Sequence, residues 1–250
     1  MGQFKHIEQN HQHSRETLDI LYGYDSFLDS LKVIADMGCG SGLDLNWWAT
    51  LETRDDPPEP RNYLCYAVDK KDQVDPDVRA LPNVIVLEKN FEERVIPRQV
   101  DLMWCHDAFQ YIQNPLNTLR TWNAQMNVNG MLIIILKQNV TSEYNRLVTR
   151  GHNYNYFNHN LVNMVYMLAV NGFDCNDAYA LKNNNDPWLH LAVYKSDQAP
   201  MDPATTSWHD LAERNLLNPS IIDSFTRHGH VRQEDIVYPW LDKDFYRVKT

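Results

Sequence analysis

Bases are scarce relative to acids. The 250 residues carry 23 Lys and Arg against 33 Asp and Glu, a formal charge of −10 at pH 7. That balance opposes association with a phosphate backbone and leaves only a local basic groove as a route to nucleic acid. Cysteine is limited to 4 residues, Cys39, Cys65, Cys105 and Cys175. No two of them form a C-x-x-C pair and each lies in or beside an apolar segment. A disulfide scaffold is thereby excluded, and reduced thiols in a cytoplasmic setting are expected. Glycine is sparse, 9 residues, which excludes a collagen-like chain. Apolar runs are short. The longest, from Met131 to Leu136, has the length of a buried strand, so no membrane span is expected. Met1 to His6 lack the apolar stretch of a secretion signal, and Ile7 does not suit a myristoylation signal. No internal repeat of solenoid or propeller period occurs.

What remains is a globular composition, 43% hydrophobic and 22% charged, enough for one large domain or a domain with an extension. After a polar, His-rich arm, residues 17–31 predict one or two short helices. Apolar runs at 31–37, 63–68, 84–87, 100–104 and 131–136 predict strands. Helical patterns at 43–51, 115–126 and 161–168 separate some of them, with Pro115 suited to a first turn. Asn127 to Gly130 reads as a turn before the fifth strand, and Asn171-Gly172 as a helix end. Two consecutive strands, 173–180 and 188–194, predict an antiparallel pair at the sheet edge. The pattern is that of an α/β, doubly wound, mostly parallel seven-stranded sheet with an antiparallel edge strand and a C-terminal extension. The expected divisions are an N-terminal arm and helices (1–30), a core (31–196) and an extension docked on it (197–250). The extension carries apolar residues from Trp208 to Phe245, too many for a solvated linker.

The segment richest in chemistry is Val33-Ile34-Ala35-Asp36-Met37-Gly38-Cys39-Gly40-Ser41-Gly42, a strand, an acid, three alternating glycines and then a helix. Glycine permits a tight turn and lets a ligand lie against the backbone without a Cβ. The helix beyond offers free N–H groups. A phosphate loop has no use for a carboxylate two residues ahead of the first glycine. The dinucleotide fingerprint G-x-G-x-x-G places its third glycine one residue later than Gly42.

This spacing resembles the first motif of the class I S-adenosylmethionine-dependent methyltransferases. The resemblance covers about residues 31–194 and implies a Rossmann-like methyltransferase fold with S-adenosylmethionine as cofactor and S-adenosylhomocysteine as product. It places Asp36, Gly38, Cys39, Gly40 and Gly42 around the methionine end of the cofactor. Asp69, with Lys70 beside it at the end of the second strand, takes the position whose carboxylate accepts both ribose hydroxyls; otherwise Asp69 caps the next helix. Asn90 and Phe91, after the third strand, stand where the family contacts adenine, although Phe91 serves the core equally well. The run from Asp101 to Ile112 includes Asp107-Ala108-Phe109, a triplet also found in the glycine/sarcosine-type, small-molecule branch, and Cys105 ends the strand beneath the methyl donor. A later histidine common in that branch is replaced by Tyr111.

The resemblance therefore implies methyl transfer to an N or O atom of a small molecule, with His106, Asp107, Tyr111 and His159 as candidates to line the acceptor site. Asn153 to His159 form either a selective pocket or a rim packed by tyrosines. Trp47 and Trp48 point to different faces of their helix, one to the core and the other over the cofactor loop. His6, His11 and His13, and His228 with His230, meet no zinc spacing, so no metal is expected. Three other functions compete with a small-molecule enzyme. A non-catalytic cofactor-binding protein of the same fold is the first. A nicotinamide oxidoreductase is disfavoured by glycine spacing. A nucleic-acid methyltransferase is disfavoured by charge and by the missing [D/N]-P-P-[Y/F/W] run.

Overall fold

The computed structural model describes residues 12–71, 73–137, 159–182 and 188–239. Its centre is a seven-stranded sheet built from β1 (Val33–Met37), β2 (Leu64–Asp69), β3 (Val84–Glu88), β4 (Val100–His106), β5 (Met126–Lys137), β6 (Phe173–Lys182) and β7 (Trp188–Lys195). The order is β3-β2-β1-β4-β5-β7-β6. Strands β3, β2, β1, β4 and β5 are parallel, while β7 runs antiparallel to both β5 and β6, one place in from the edge. This is the α/β, doubly wound arrangement that the alternating pattern predicts, and it is the Rossmann-like methyltransferase fold that the resemblance implies.

Central strands buried on both faces need continuous apolar runs, and β4 and β5 have them. One face of the sheet packs Met103, Cys105, Ile134 and Leu136 under α5 (Pro115–Ala124) and α6 (Leu161–Val170). The other packs Trp104, Leu102, Ile133 and Ile135 with Leu45 and Trp48 of α3 (Leu43–Ala49) and Leu18 and Leu21 of α1 (Gln12–Leu21). The short α2 (Asp25–Ser30) follows α1, and the one-turn α4 (Pro76–Arg79) precedes β3. Caps set the helix starts. The Asn114 side chain accepts from the Asn117 N–H with Pro115 in the first turn, and the Asn160 side chain accepts from the Asn163 N–H.

The expected turn at Asn127 to Gly130 lies inside β5. Val100 pairs with Met126 and Leu102 with Met131, so residues 127–130 bulge from the ladder, with Asn129 at φ 66°. Gly130 permits the bulge by lying close to backbone: an added Cβ would meet Asn127 O at 2.9 Å and, across on β4, Asp101 O and Val100 O at 3.1 Å. A second difference concerns Trp47. It meets Tyr22 at 6.5 Å and Trp48 at 4.7 Å, packing against the turn after α1. Trp48 is wholly buried.

Beyond β7, α7 (Trp208–Glu213) and α8 (Pro219–His228) pack on the α6 face. Leu211, Leu216, Leu217 and Ile221 are buried there, and the Tyr238 hydroxyl donates to Cys175 O at 2.8 Å. Helix α7 stops at Glu213, and Asn215, at φ 57°, turns the chain just beyond it. Among the described residues no helix is long and apolar enough to cross a membrane. All four cysteines are free and buried.

Candidate active site

The strand order reverses beside β1, whose neighbours are β2 and β4. Ligands of open α/β sheets bind outside the carboxyl ends of the strands at such a point. The loop after β1 occupies it. Gly38, Gly40 and Gly42 adopt φ of 81°, 53° and 81°, a left-handed region that other residues enter at a cost. The Gly38 and Cys39 N–H groups donate to Val68 O, tying the loop to the end of β2. The Gly40 N–H donates to Asp69 Oδ2 at 3.0 Å. The three glycines face different surroundings. A Cβ on Gly38 would come within 2.3 Å of Ala108 Cβ, one on Gly42 would touch Val74 and Val78, and one on Gly40 would meet nothing within 4 Å. Gly40 alone among them borders open space.

Asp36, at the end of β1, is 3% exposed. Burial first, then the nearby Asp44 and Asp69 carboxylates, hold its carboxyl well above the usual carboxylate range. Three acids thus converge beneath the glycine loop. Lys70, next to Asp69, pairs with Glu92 at 2.8 Å and lies 5.3 Å from the centre of the Phe91 ring. Phe91 is buried and its edge lies 3.6 Å from the Cβ position of Gly38. The Asn90 side chain is engaged locally, donating to Glu93 and accepting from the Glu92 N–H. Cys39 is buried with its Sγ directed to Gly40 O. Cys105 is fully enclosed and burial pushes its thiol up, so its side chain belongs to the core, and the strand continues to His106.

The four acceptor-site candidates separate. His106 ends β4 on the α1/α3 face, where its Nδ1 lies 2.8 Å from Asp44 Oδ2. His159 sits on the other face, its ring 5.0 Å from Phe109, and burial pushes its imidazole down to about 4. It borders a cleft of about 690 Å³ that also touches Asn114, Asn163, Tyr166 and Trp208. Asp107 is exposed at φ 50°, and Tyr111 ends the single 3-10 turn Phe109–Tyr111. The proposed pocket residues 153–158 lie outside the described residues.

Sequence reasoning passed over the polar cluster around His106. Asp44, buried on α3, accepts from Ser14 Oγ at 2.7 Å and Trp104 Nε1 at 3.0 Å, and shares a proton position with His106 Nδ1. On β7, His190 Nδ1 lies 2.7 Å from Thr17 Oγ1, and burial, with His106 and His13 nearby, pushes its imidazole down to about 3. His13 stacks on Trp188 at 4.3 Å, and Trp188 lies 5.7 Å from His106. Helix α1 therefore roofs this part of the site through His13, Ser14 and Thr17. One signal pointed to Asp44: it stands four residues before Trp48, on the same buried stripe of α3.

No family model matches the chain, and no curated protein matches it in sequence. Solved structures do share its fold. A Listeria monocytogenes protein ascribed to the S-adenosylmethionine dependent methyltransferases superposes with a TM-score of 0.54 at 13% identity, over 74% of this chain and 99% of the other. The N-methyltransferase NodS of Bradyrhizobium japonicum gives 0.53 at 9% identity, over 76% and 99%. An O-methyltransferase family protein of Burkholderia thailandensis gives 0.54 at 14% identity, over 73% and 56%. At such identities the likeness establishes the fold: the class I methyltransferase architecture, shared by neighbours named for transfer to nitrogen and to oxygen.

Proposed function

We propose that the protein is an S-adenosylmethionine-dependent methyltransferase that transfers a methyl group to an N or O atom of a small molecule. The observation that carries this reading is the open space above Gly40, set over Asp36, Asp44 and Asp69 at the switch point of the sheet. Clustered buried carboxylates raise one another's pKa unless a cation joins them. S-adenosylmethionine brings two positive groups, an ammonium and a sulfonium, and when bound it supplies an already activated methyl group. Asp36 would hold the amino end through the loop, Gly38 to Gly42 would cradle the chain of the ligand, and Asp69 would meet the ribose while still anchoring Gly40. Lys70, Asn90 and Phe91 would border the adenine. Because the donor is activated, the chain's main tasks are positioning and water exclusion, which Phe109 and the α1 roof serve.

The core that would do this is 31–196, with the described residues 12–30 as its roof and 197–239 as a buttress. The charge of −10 supports an acceptor other than nucleic acid, and the buried free thiols support a reducing, cytoplasmic setting. Calorimetry with S-adenosylmethionine, S-adenosylhomocysteine and NAD tests the reading. The first two should bind and NAD should not, and Asp36→Asn should weaken both. Preference for NAD, or no binding of either adenosyl compound, overturns it.

A further inference from the structure

The cleft beside the starts of α5, α6 and α7 lies apart from the glycine loop, none of whose residues lines it. We propose that this cleft is a second ligand site, which takes an uncharged aromatic small molecule carrying a hydroxyl or amide group. Its volume, about 690 Å³, is in the range of small-molecule sites. The site is separate from the proposed cofactor cradle and does not depend on the methyltransferase reading.

The walls select a flat apolar body. Tyr166 of α6 and Trp208 of α7 meet at 5.2 Å with their planes inclined by 63°, and Leu116 and Met167 extend the apolar surface. An aromatic ligand can set its face against one ring and its edge against the other, and a thioether adapts to what lies on it. Both rings are held in place. The Tyr166 hydroxyl lies 3.0 Å from Pro203 O and 2.8 Å from Thr206 O. A reciprocal pair of hydrogen bonds between Ser207 and Asp210 fixes the first turn of α7, where Trp208 stands. A wall ordered before the ligand arrives lowers the entropic cost of binding. The C-terminal extension thus supplies one side of the site as well as packing on the core.

The polar groups set the charge of the ligand. Gln113 and Asn114, at the start of α5, and Asn163, in the first turn of α6, border the cleft with His159. Amides both donate and accept hydrogen bonds. Burial pushes the His159 imidazole down to about 4, so it is uncharged at physiological pH. No Lys, Arg, Asp or Glu is among the described residues that line the cleft. A carboxylate or ammonium placed there would give up hydration with no opposite charge to replace it. An uncharged ligand avoids that penalty, and its hydroxyl or amide can pair with the amides of the rim.

Methyl resonances of protein labelled at methionine test the site, with Met167 assigned by its loss in Met167→Leu. Naphthylmethanol, naphthoate and naphthylmethylamine share one ring system and differ in charge. The alcohol should shift the Met167 methyl and bind about ten-fold or more tightly than either ion, with S-adenosylhomocysteine present or absent. Asn163→Asp places an acid in the first turn of α6, a position that suits the helix. It should strengthen binding of the amine about ten-fold, since a charge-assisted hydrogen bond becomes available. Asn163→Trp should fill the cleft and abolish the Met167 response while the protein still melts cooperatively. No response of Met167 to the alcohol, equal affinity for the ions, an unchanged preference in Asn163→Asp, or displacement of the alcohol by S-adenosylhomocysteine overturns the proposal. A response seen only after deletion of residues 240–250 would give the cleft to the chain's own end. A Met167 shift on dilution, with a halved mass by light scattering, would give it to another copy. Either result also overturns the proposal.

Discussion

Gly38 and Gly40 lie two residues apart in one loop, yet adding the same methyl group to each should have different consequences. Both sit at positive φ, 81° and 53°. Alanine in that region costs roughly 1–2 kcal/mol at either position. At Gly38 the new Cβ also falls 2.3 Å from Ala108 Cβ, far inside contact distance. The neighbour is a methyl fixed to the backbone, with no flexible end to swing aside. Relieving the overlap should cost about 1–3 kcal/mol more. For a chain of this size each kcal/mol moves the melting temperature by about 2–4 °C. Gly38→Ala should therefore melt several degrees below Gly40→Ala. Gly40→Ala, whose Cβ meets nothing within 4 Å, should instead fill the cradle and lower affinity for S-adenosylmethionine more than it lowers stability. Calorimetric melting of both variants and of Gly38→Ala/Ala108→Gly isolates the contact, since the second change removes the obstructing methyl. Equal melting of the two single variants, or no recovery in the double variant, would refute the steric reasoning. Unchanged affinity in Gly40→Ala would refute the placement of the ligand.

Four further outcomes follow from the same geometry. Asp69→Ala should reduce S-adenosylmethionine affinity roughly ten- to a hundred-fold by isothermal calorimetry, because a charge-assisted hydrogen bond is worth about 1.5–3 kcal/mol and the Gly40 N–H loses its acceptor as well. The His159 imidazole, lowered to about 4 by burial, contributes stability that is present above its unfolded value near 6.5 and lost as pH falls towards 4; His159→Gln should flatten melting temperature against pH across that window. Deleting the residues after Ser196 removes buried Leu211, Leu216, Leu217 and Ile221, each worth roughly 1.5–3 kcal/mol, and should cause aggregation or a marked fall in melting temperature by light scattering and calorimetry; an equally stable monomer would overturn this. Electrophoretic mobility of duplex DNA and structured RNA should be unaffected at physiological salt, and micromolar binding that weakens steeply with added salt would contradict the charge argument.

Much of this molecule is settled by neighbours along the chain. Alternating strand and helix patterns, the Asn and Pro helix starts, and the glycine run after β1 are local features, so the parallel sheet and the glycine loop were legible from residue order. The positions of Asp36, last but one in β1, and Asp69, last in β2, were legible for the same reason, since each stands next to a marked turn. The bulge at 127–130 was read as a simple turn because its cause, the backbone pressed against Gly130, is a contact across strands. The polar cluster was beyond residue order altogether. Asp44 and His106 are 62 residues apart and Thr17 and His190 are 173 apart, and no periodicity records such meetings. Sequence spacing likewise grouped His106 with His159, whereas alternate side-chain directions and the two faces of the sheet separate them. Local backbone preference determined the scaffold and the loop; which acid meets which imidazole was decided only when the sheet brought α3, the end of β4 and the start of β7 together under helix α1.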